Sequence, residues 1–378
     1  MKRWLHADAD MFFAAIEILK DPSLRGKAVV VGGVNSNHGV VSTASYEARK
    51  AGIHSAMPIA LARRLKPDAV FLEGDFASYR AYSEKMFSLF RQYTPELYIL
   101  SIDEADLNIT ETIGLYGGEE TLALRLKSEI QSQLGFSISI GIAGTRAVAK
   151  IAASSAKPDG LTIIAQGFER EFLSDLPIHV LPGIGKKSEP FFISKGFTKV
   201  SDFYSFDLAK LTKIFGKYGS SLWFLLHGIE EGRTSASIPS ISKEITFEED
   251  IVDLPQLFII LDHLSSELGH RLRQEKQEAS CLSIKVRYSN FKTITRQVTL
   301  NSPIFSDEQI YYFAKRLFMK EKREPIRLLG ISLTHLSDGE SLFGENQKEK
   351  IFTRTLDAIR DKYGSKTIRR YHHYQDKV

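Results

Sequence analysis

Three acidic residues stand where carboxylates could bind metal ions. Asp103 and Glu104 are adjacent at the end of an apolar run, and Asp8 follows another apolar run near the N-terminus. Neighbouring carboxylates repel each other, so we expect a cation to neutralise them. Oxygen ligands of this kind suit Mg²⁺, which takes one or two carboxylates and completes its shell with water and substrate phosphates. The chemistry indicated is phosphoryl or nucleotidyl transfer.

Each acidic position alone is as typical of exposed acids at a strand end as of a metal site. The combination says more, because two apolar strands that pair would bring Asp8 and Asp103 face to face. That arrangement of carboxylates can hold two cations about 4 Å apart.

A second group of polar side chains could hold a triphosphate. Thr43, Tyr46 and Arg49 follow one another at three-residue intervals, so several of them share a helical face that begins at a polar cap. Their hydroxyls and guanidinium suit phosphate oxygens. Lys157, in a turn with Pro158, is available as a further phosphate contact. A solvated helix face and a surface turn are the alternative interpretations.

A glycine-rich segment followed by lysines suits sequence-independent contact with nucleic-acid phosphates. Gly183 and Gly185 expose backbone amides at a helix start, and Lys186 and Lys187 follow them. A simple turn between helices is the alternative. A similar glycine-containing segment at residues 215–219 favours a DNA-gripping domain instead.

Junctions between strands and helices must position these residues. Apolar patterns predict a buried strand over Arg3–Ala7 and a helix over Phe12–Leu19. A strand over Leu97–Ile102 would carry the paired acids, and a strand over Ser137–Ile142 leads into a helix over Ala147–Ala156. Strands and helices alternate here without a dinucleotide-binding fingerprint.

The second half of the chain changes its pattern twice. Residues 169–228 are predicted to be helical, and the Ser-rich stretch 233–242 has the composition of a linker. The alternation around Lys285 and Arg287 predicts a sheet with one basic and one apolar face. The elements predicted after the linker form an α+β module: helix Leu254–Gln274, strands Ser280–Tyr288 and Thr293–Leu300, helix Asp307–Lys320, strand Arg327–His335 and, in the tail, helix Ile351–Tyr363.

Composition bounds the protein class. A chain of 378 residues with 43% apolar and 25% charged residues is typical of a folded protein of two to four domains. No apolar run approaches the roughly 18 residues of a membrane span, so we expect a cytoplasmic protein without membrane contact. Cys281 is the single cysteine, which excludes an intramolecular disulfide. The net charge of +4 does not by itself distinguish a nucleic-acid binder from an average enzyme.

Four segments match the pattern of a known family. They are His6–Glu17, Ser42–Lys50, Ser101–Ala105 and Pro182–Gly185, and they follow the family's order. On these segments the chain resembles Y-family translesion DNA polymerases, in particular the bacterial DNA polymerase IV type. The resemblance extends from the N-terminus to about Leu336.

The resemblance implies an α+β multidomain protein with a right-hand polymerase architecture. Its parts would be a palm (1–10 and 76–166), fingers (11–75), a helix-hairpin-helix thumb (167–232), a linker (233–242), a little finger (243–337) and a C-terminal tail (338–378). Its partners would be primed template DNA and deoxynucleoside triphosphates.

Site roles follow by motif position. Asp8, Asp103 and Glu104 would be the catalytic residues and, with the Ala9 carbonyl, the ligands of two Mg²⁺ ions, for which Mn²⁺ would substitute. Phe13 would also be the steric gate whose ring clashes with a ribose 2′-hydroxyl. The nucleotide would be held by Phe12, Phe13, Thr43, Tyr46, Arg49 and Lys157, and DNA by Gly183, Gly185, Lys186, Lys187, Lys285 and Arg287.

The chain departs from the family pattern in three places. Asp106 and Asn108 stand where the family has an aromatic residue and a later acid, and in a strand Asp106 shares a face with Glu104. Ala9 replaces a bulkier residue, which is tolerable because only its carbonyl is needed. The segment around Leu342 and Phe343 resembles a sliding-clamp-binding peptide that lacks its leading Gln and first Leu.

The leading hypothesis is a magnesium-dependent, template-directed DNA polymerase that adds deoxynucleotides to a primer 3′-hydroxyl and copies damaged templates with low fidelity. It would act as a monomer and bind a sliding clamp. An alternative is a catalytically impaired DNA-binding accessory protein in which Asp106 has spoiled the metal site. A nucleotidyl cyclase shares the two-metal chemistry but does not need the glycine-rich hairpins or the basic sheet.

Overall fold

Two compact units make up the chain in the computed structural model. The model describes residues 2–36, 38–230, 240–321, 324–338 and 347–364. The first unit contains residues 1–34 and 39–233, and the second contains residues 35–38 and 234–378. Among the described residues, no helix is long and apolar enough to cross a membrane.

A five-stranded sheet in the order β5-β6-β1-β7-β8 forms the centre of the first unit. Its buried strands are rich in Ile, Leu and Ala, and helices α4 and α5 add apolar side chains to the same core. The strands are β1 Trp4–Ala9, β5 Leu97–Ile99, β6 Glu104–Asn108, β7 Ile138–Ala143 and β8 Leu161–Ile163; the helices are α4 Phe76–Phe90, α5 Glu119–Leu134 and α6 Arg146–Ser155.

The paired acids begin a strand instead of ending one. The strand predicted over Leu97–Ile102 stops at Ile99, and the chain turns back into β6, which starts at Glu104. Strands β1 and β6 are antiparallel, with Asp8 opposite Glu104. The end of one antiparallel strand lies beside the start of its partner, so the acids are close together, but Asp8 faces Glu104 and not Asp103 as predicted, and the predicted strand boundary is wrong.

A small three-stranded sheet, ordered β3-β2-β4, lies in the part of the chain predicted as fingers. It has its own core, built from Val30, Val41, Ile53 and neighbouring small residues. Its elements are β2 Val29–Gly32, β3 Val41–Ala44, β4 Val70–Leu72, α2 Tyr46–Lys50 and α3 Ile59–Leu65, and α1 Phe12–Lys20 joins it to β1.

Residues 169–226 are helical, as predicted, and form an aromatic core with Phe192, Phe203 and Phe215. The two glycine-containing segments meet there. Gly183 has φ +92°, and a Cβ atom on it would lie 2.7 Å from the Tyr218 ring, so only glycine fits. The helices are α7 Glu169–Ser174, α8 Glu189–Ser194, α9 Leu208–Phe215 and α10 Lys217–Leu226, with 3₁₀ turns between them.

The second unit is a four-stranded antiparallel sheet, ordered β11-β10-β12-β9, with two helices packed on its apolar face. The α+β prediction is confirmed, but strand β9 was missed, and it includes residues 240–242 of the predicted linker. The remaining residues of that linker up to 239, and Leu342 and Phe343, lie outside the described residues. The elements are β9 Ser240–Ile251, α11 Leu254–Gln274, β10 Gln277–Tyr288, β11 Thr293–Ile304, α12 Asp307–Phe318, β12 Ile326–Asp338 and α13 Gln347–Tyr363.

The last helix, α13, is joined to this unit by a chain of ion pairs. Arg273 of α11 donates two hydrogen bonds to Asp357 of α13, at 2.6 and 2.7 Å. Its guanidinium also lies 3.0 Å from Asp307 of α12, which pairs with Arg360 of α13 at 2.7 Å. These four side chains are no more than 14% exposed, so each buried charge is stabilised by its ion-pair partners.

We expect Arg273→Leu to lower the free energy of unfolding by about 3 kcal/mol, because it leaves buried carboxylates without a cation. Arg271→Leu, at an exposed position of the same helix, is the control. Urea denaturation followed by circular dichroism measures both. Equal losses in the two variants would contradict the assigned role of the network.

Candidate active site

Two strands place the three acids together. Asp8 lies on β1 directly opposite Glu104 of β6, and the Ala9 amide donates a 2.9 Å hydrogen bond to the Asp103 carbonyl. Asp8 and Glu104 are largely buried, with side chains 15% and 19% exposed. His6, Asp8 and Glu104 each offer a ligand atom within 4.8 Å of the others.

Lysines from α6 and the turn that follows it contact these acids. The Lys157 ammonium lies 2.5 Å from Asp8, and the Lys150 ammonium lies 2.5 Å from Glu104. Helix α6 can approach so closely because Gly141 of β7 has no side chain; a Cβ there would lie 2.1 Å from a helix carbonyl. The Asp103 carboxylate accepts a hydrogen bond from the Ser101 hydroxyl.

The environment separates the pKa values of Asp8 and Glu104. Burial raises the pKa of Asp8, and the charges of Asp103 and Glu104 act in the same direction, against Lys157. Interactions with His6 and then Lys150 lower the pKa of Glu104 to about 2 despite its partial burial. Acidification therefore protonates Asp8 before Glu104.

A histidine lies directly behind Glu104. His6 is fully buried, and its Nδ1 atom lies 2.7 Å from the Asp106 carboxylate on the neighbouring strand. Its Nε2 atom lies 3.6 Å from Glu104 and has no hydrogen-bond partner among the described residues. Burial lowers the pKa of His6, but the two carboxylates outweigh burial and raise it above its ordinary value.

Asp10 is a buried carboxylate with four hydrogen-bond donors. It accepts hydrogen bonds from the hydroxyls of Ser137, Ser139 and Tyr46 and from the Asp159 amide, at 2.8 to 3.1 Å. Burial, followed by the charge of Asp10, raises the pKa of Tyr46. One side chain thus connects the central sheet, helix α2 and the turn that carries Lys157.

The residues predicted to hold the triphosphate lie at the start of α2. Ser45 caps this helix by accepting a hydrogen bond from the Ala48 amide. The Arg49 guanidinium lies 4.9 Å from the Tyr46 ring centre, and its Nε atom donates to the Ala44 carbonyl. Thr43 is on β3, the strand that leads into the helix. These contacts leave the other guanidinium nitrogens of Arg49 as donors for an anion.

The Phe13 ring is held by a second ring. It stacks on Tyr79 of α4 with centres 4.3 Å apart and planes at 12°. The Tyr79 hydroxyl donates a 2.7 Å hydrogen bond to Glu17. The N-terminus of α1, which begins at Phe12, makes no side-chain capping bond, so its first amides are available to an anion.

A cleft of about 610 Å³ lies between Glu104 and the helical region. Glu104, Asp106 and Lys150 line one wall, and Tyr218 and Phe224 line the other.

The residues predicted to hold DNA lie in two different elements, the turn before α8 in the first unit and strand β10 in the second. Lys186 and Lys187 are exposed in the turn before α8, but the Gly185 amide donates to Ser188. Lys285 and Arg287 share the more exposed face of β10, with Lys285 paired to Glu244 at 2.8 Å.

Comparisons with known proteins agree on one family. Residues 7–154 match the impB/mucB/samB family model, and residues 238–346 match the model of that family's C-terminal domain. The chain is 37% identical to DNA polymerase IV of Desulfatibacillum aliphaticivorans, over 96% of this chain and 95% of the relative. It is 36% identical to DNA polymerase IV of Treponema denticola, over 97% and 96% of the two chains.

The chain belongs to the Y family of DNA polymerases. Among solved structures, a Y-family DNA polymerase chimera of Dbh and Dpo4 matches with a TM-score of 0.78 and 27% identity, over 88% of this chain and 98% of the other. An insertion ternary complex of Dbh DNA polymerase matches with a TM-score of 0.63 over the same shares.

Membership settles the enzyme class. This Y-family polymerase is a translesion, DNA-directed DNA polymerase that depends on a divalent metal and acts on DNA and deoxynucleoside triphosphates. The right-hand architecture predicted from the sequence is confirmed. An inactive accessory protein is not favoured.

Sequence reasoning missed four residues around the acids of this polymerase. His6, Asp10 and Lys150 were not named as site residues, and Asp106 was noted only as a departure from the family pattern. The period of two along a strand carried a signal, since it places His6 on the face of Asp8 and Asp106 on the face of Glu104. Nothing in the local sequence indicated Lys150, whose position depends on how α6 packs.

We expect Asp10→Asn to lower the free energy of unfolding by about 1–3 kcal/mol, because the amide group directs a donor at groups that already donate. Asp175→Asn, with a side chain 93% exposed in the same unit, is the control. Urea denaturation measures both variants. Unchanged stability in Asp10→Asn would show that the four hydrogen bonds do not require a carboxylate.

Proposed function

We propose that Asp8, Asp103 and Glu104, with the Ala9 carbonyl, hold two Mg²⁺ ions and that this cation pair drives nucleotidyl transfer. Support comes from the antiparallel register, which brings Asp8 and Glu104 opposite each other beside Asp103. When bound, the ions lower the pKa of the primer 3′-hydroxyl and neutralise charge on the triphosphate and the leaving pyrophosphate. Mn²⁺, which also accepts oxygen ligands, would substitute.

The donor set fits such ions. Carboxylates and a backbone carbonyl are the ligands that Mg²⁺ prefers, and the two ammonium groups in contact with the acids mark a place where positive charge is stabilised. Asp8 and Glu104 remain partly exposed, and Glu104 lines the cleft. A primer terminus approaching along that cleft would reach the acids.

Lys157 would change partners when the nucleotide binds. Its ammonium now contacts Asp8, and the turn that carries it is fixed through Asp159 to Asp10. In this position a small rotation of the side chain would move the charge from the carboxylate to the triphosphate. Thr43, Tyr46, Arg49 and the amides of Phe12 and Phe13 would complete the phosphate site.

The Phe13 ring would act as the steric gate. Stacking on Tyr79 fixes the ring, so it cannot move aside at low cost for a ribose 2′-hydroxyl.

Other assignments concern the wider complex. Gly183, Gly185, Lys186 and Lys187 would contact the DNA backbone, as would Lys285 and Arg287 on the exposed sheet face. Leu342 and Phe343 would bind a sliding clamp. That the protein is a monomer and lies in the cytoplasm also remains a prediction.

We expect Asp103→Ala to slow primer extension by about 10³-fold or more, because the variant loses a metal ligand that stabilises transition-state charge by several kcal/mol. Single-nucleotide extension of a primed template with Mg²⁺ or Mn²⁺ measures the rate. Glu111→Ala, an exposed acid after the same strand, should extend at the wild-type rate. Equal rates in Asp103→Ala and wild type would refute the metal assignment.

We expect Phe13→Ala to raise ribonucleotide insertion relative to deoxynucleotide insertion by about 10–200-fold, the range for removing one shape constraint of 1–3 kcal/mol. Phe13→Leu, which keeps more bulk, should give an intermediate ratio. The measurement is the ratio of kcat/KM for matched ribo- and deoxynucleotides. A ratio that stays at the wild-type value in Phe13→Ala would exclude the gate.

A further inference from the structure

The pair formed by His6 and Asp106 lies in contact with the proposed metal site but has no role in the mechanism above. Both side chains are at least 95% buried, and they are directly opposite each other on β1 and β6. Asp8 and Glu104 lie two residues further along the same strands, again opposite each other. The pair therefore forms the inner wall of the acid cluster.

His6 does not have the contacts of an ordinary core histidine. Buried polar atoms almost always have hydrogen-bond partners, and the Nδ1 atom has one in Asp106. The Nε2 atom has none among the described side chains and backbone groups, although Glu104 is 3.6 Å away. The 2.7 Å contact between Nδ1 and Asp106 fixes the ring with Nε2 directed at Glu104.

Lys150 and His6 both approach the same oxygen atom of Glu104. Lys150 contacts Oε2, and His6 Nε2 faces the same Oε2 atom. Lys150 is 42% exposed, whereas the His6 ring is enclosed. The enclosed His6 ring facing Oε2 restricts how the Glu104 carboxylate can rotate, which would leave Oε1 as the ligand atom.

We propose that His6, fixed by Asp106, is a positioning residue that orients the Glu104 carboxylate for metal binding. Outer partners that hydrogen-bond ligating carboxylates set their direction, and removing such a partner costs about 10–100-fold in metal affinity or activity. Asp106, the departure from the family pattern, thereby supports the site through His6. The inference rests on the proposed assignment of Glu104 as a ligand.

Mn²⁺ binding tests the proposal without requiring turnover. The full chain is titrated with Mn²⁺ and free ion is measured by electron paramagnetic resonance, alone and with a dideoxy-terminated primer–template and the matching nucleotide. We expect His6→Leu and Asp106→Leu each to weaken Mn²⁺ binding about 10-fold. The double variant should lose no more than either single one, because both changes remove the same fixed ring beside Glu104.

Conservative variants separate positioning from packing. His6→Gln retains a nitrogen donor, and Asp106→Asn retains an oxygen acceptor for Nδ1, so both should bind Mn²⁺ more tightly than the Leu variants. Leu107→Val alters the opposite, buried face of the same strand and should bind like wild type. If His6→Leu does not fold, the comparison of Asp106→Asn with wild type answers the same question, since Asn keeps the shape and an acceptor for Nδ1 but weakens the contact that fixes the ring.

Glu104→Ala distinguishes a failure of the proposed metal site from a failure of the positioning role of His6. If Asp103→Ala and Glu104→Ala bind Mn²⁺ like wild type, the proposed metal site is wrong. If those variants lose Mn²⁺ and folded His6→Leu and Asp106→Leu do not, only the positioning role is wrong. His6→Leu should cause no further loss in the Glu104→Ala background, and an additive loss there would also overturn it.

Discussion

A single buried carboxylate, that of Asp10, connects the parts of the polymerase that must meet around a nucleotide. Its four donors come from the central sheet, from Tyr46 at the start of α2 and from the turn that carries Lys157. A carboxylate can only accept, so the group is matched to four donors in a way that no neutral side chain of its size can reproduce. The spacing between Tyr46 and the turn that carries Lys157, both proposed to bind phosphate, is therefore set by the sheet.

Charge balance is the second constraint on this site. Asp8, Asp103 and Glu104 are close enough to repel one another. Lys157 forms an ion pair with Asp8, Lys150 forms one with Glu104, and the Ser101 hydroxyl donates a hydrogen bond to Asp103. The cations and the substrate must compete with groups that are already in place. Because Lys157 is also suited to phosphate, the proposed site would couple binding of the nucleotide to release of Asp8 for the metal.

The proximity of the acids and the presence of the helical and α+β modules were predictable from the sequence, since each has a local pattern. The sequence did not indicate which strands, or which side chains on them, pair with each other. The strand over Leu97–Ile102 was drawn too long because the turn after Ile99 begins with Leu100, which continues the apolar run. Strand β9 was missed because most of its residues are polar and exposed. The bond between His6 and Asp106 joins positions 100 residues apart, a separation at which periodicity indicates a face but not a partner.

The ion pairs formed by α13 change how the effect of a C-terminal truncation should be interpreted. Sequence reasoning treated residues 338–378 as a tail, yet Asp357 and Arg360 supply half of the buried ion-pair network with Arg273 and Asp307. A nonsense mutation that removed the helix would expose two charged groups in the interior of the second unit. The phenotype of such an allele would report a folding defect together with any lost clamp contact, so deletion genetics could not separate the two.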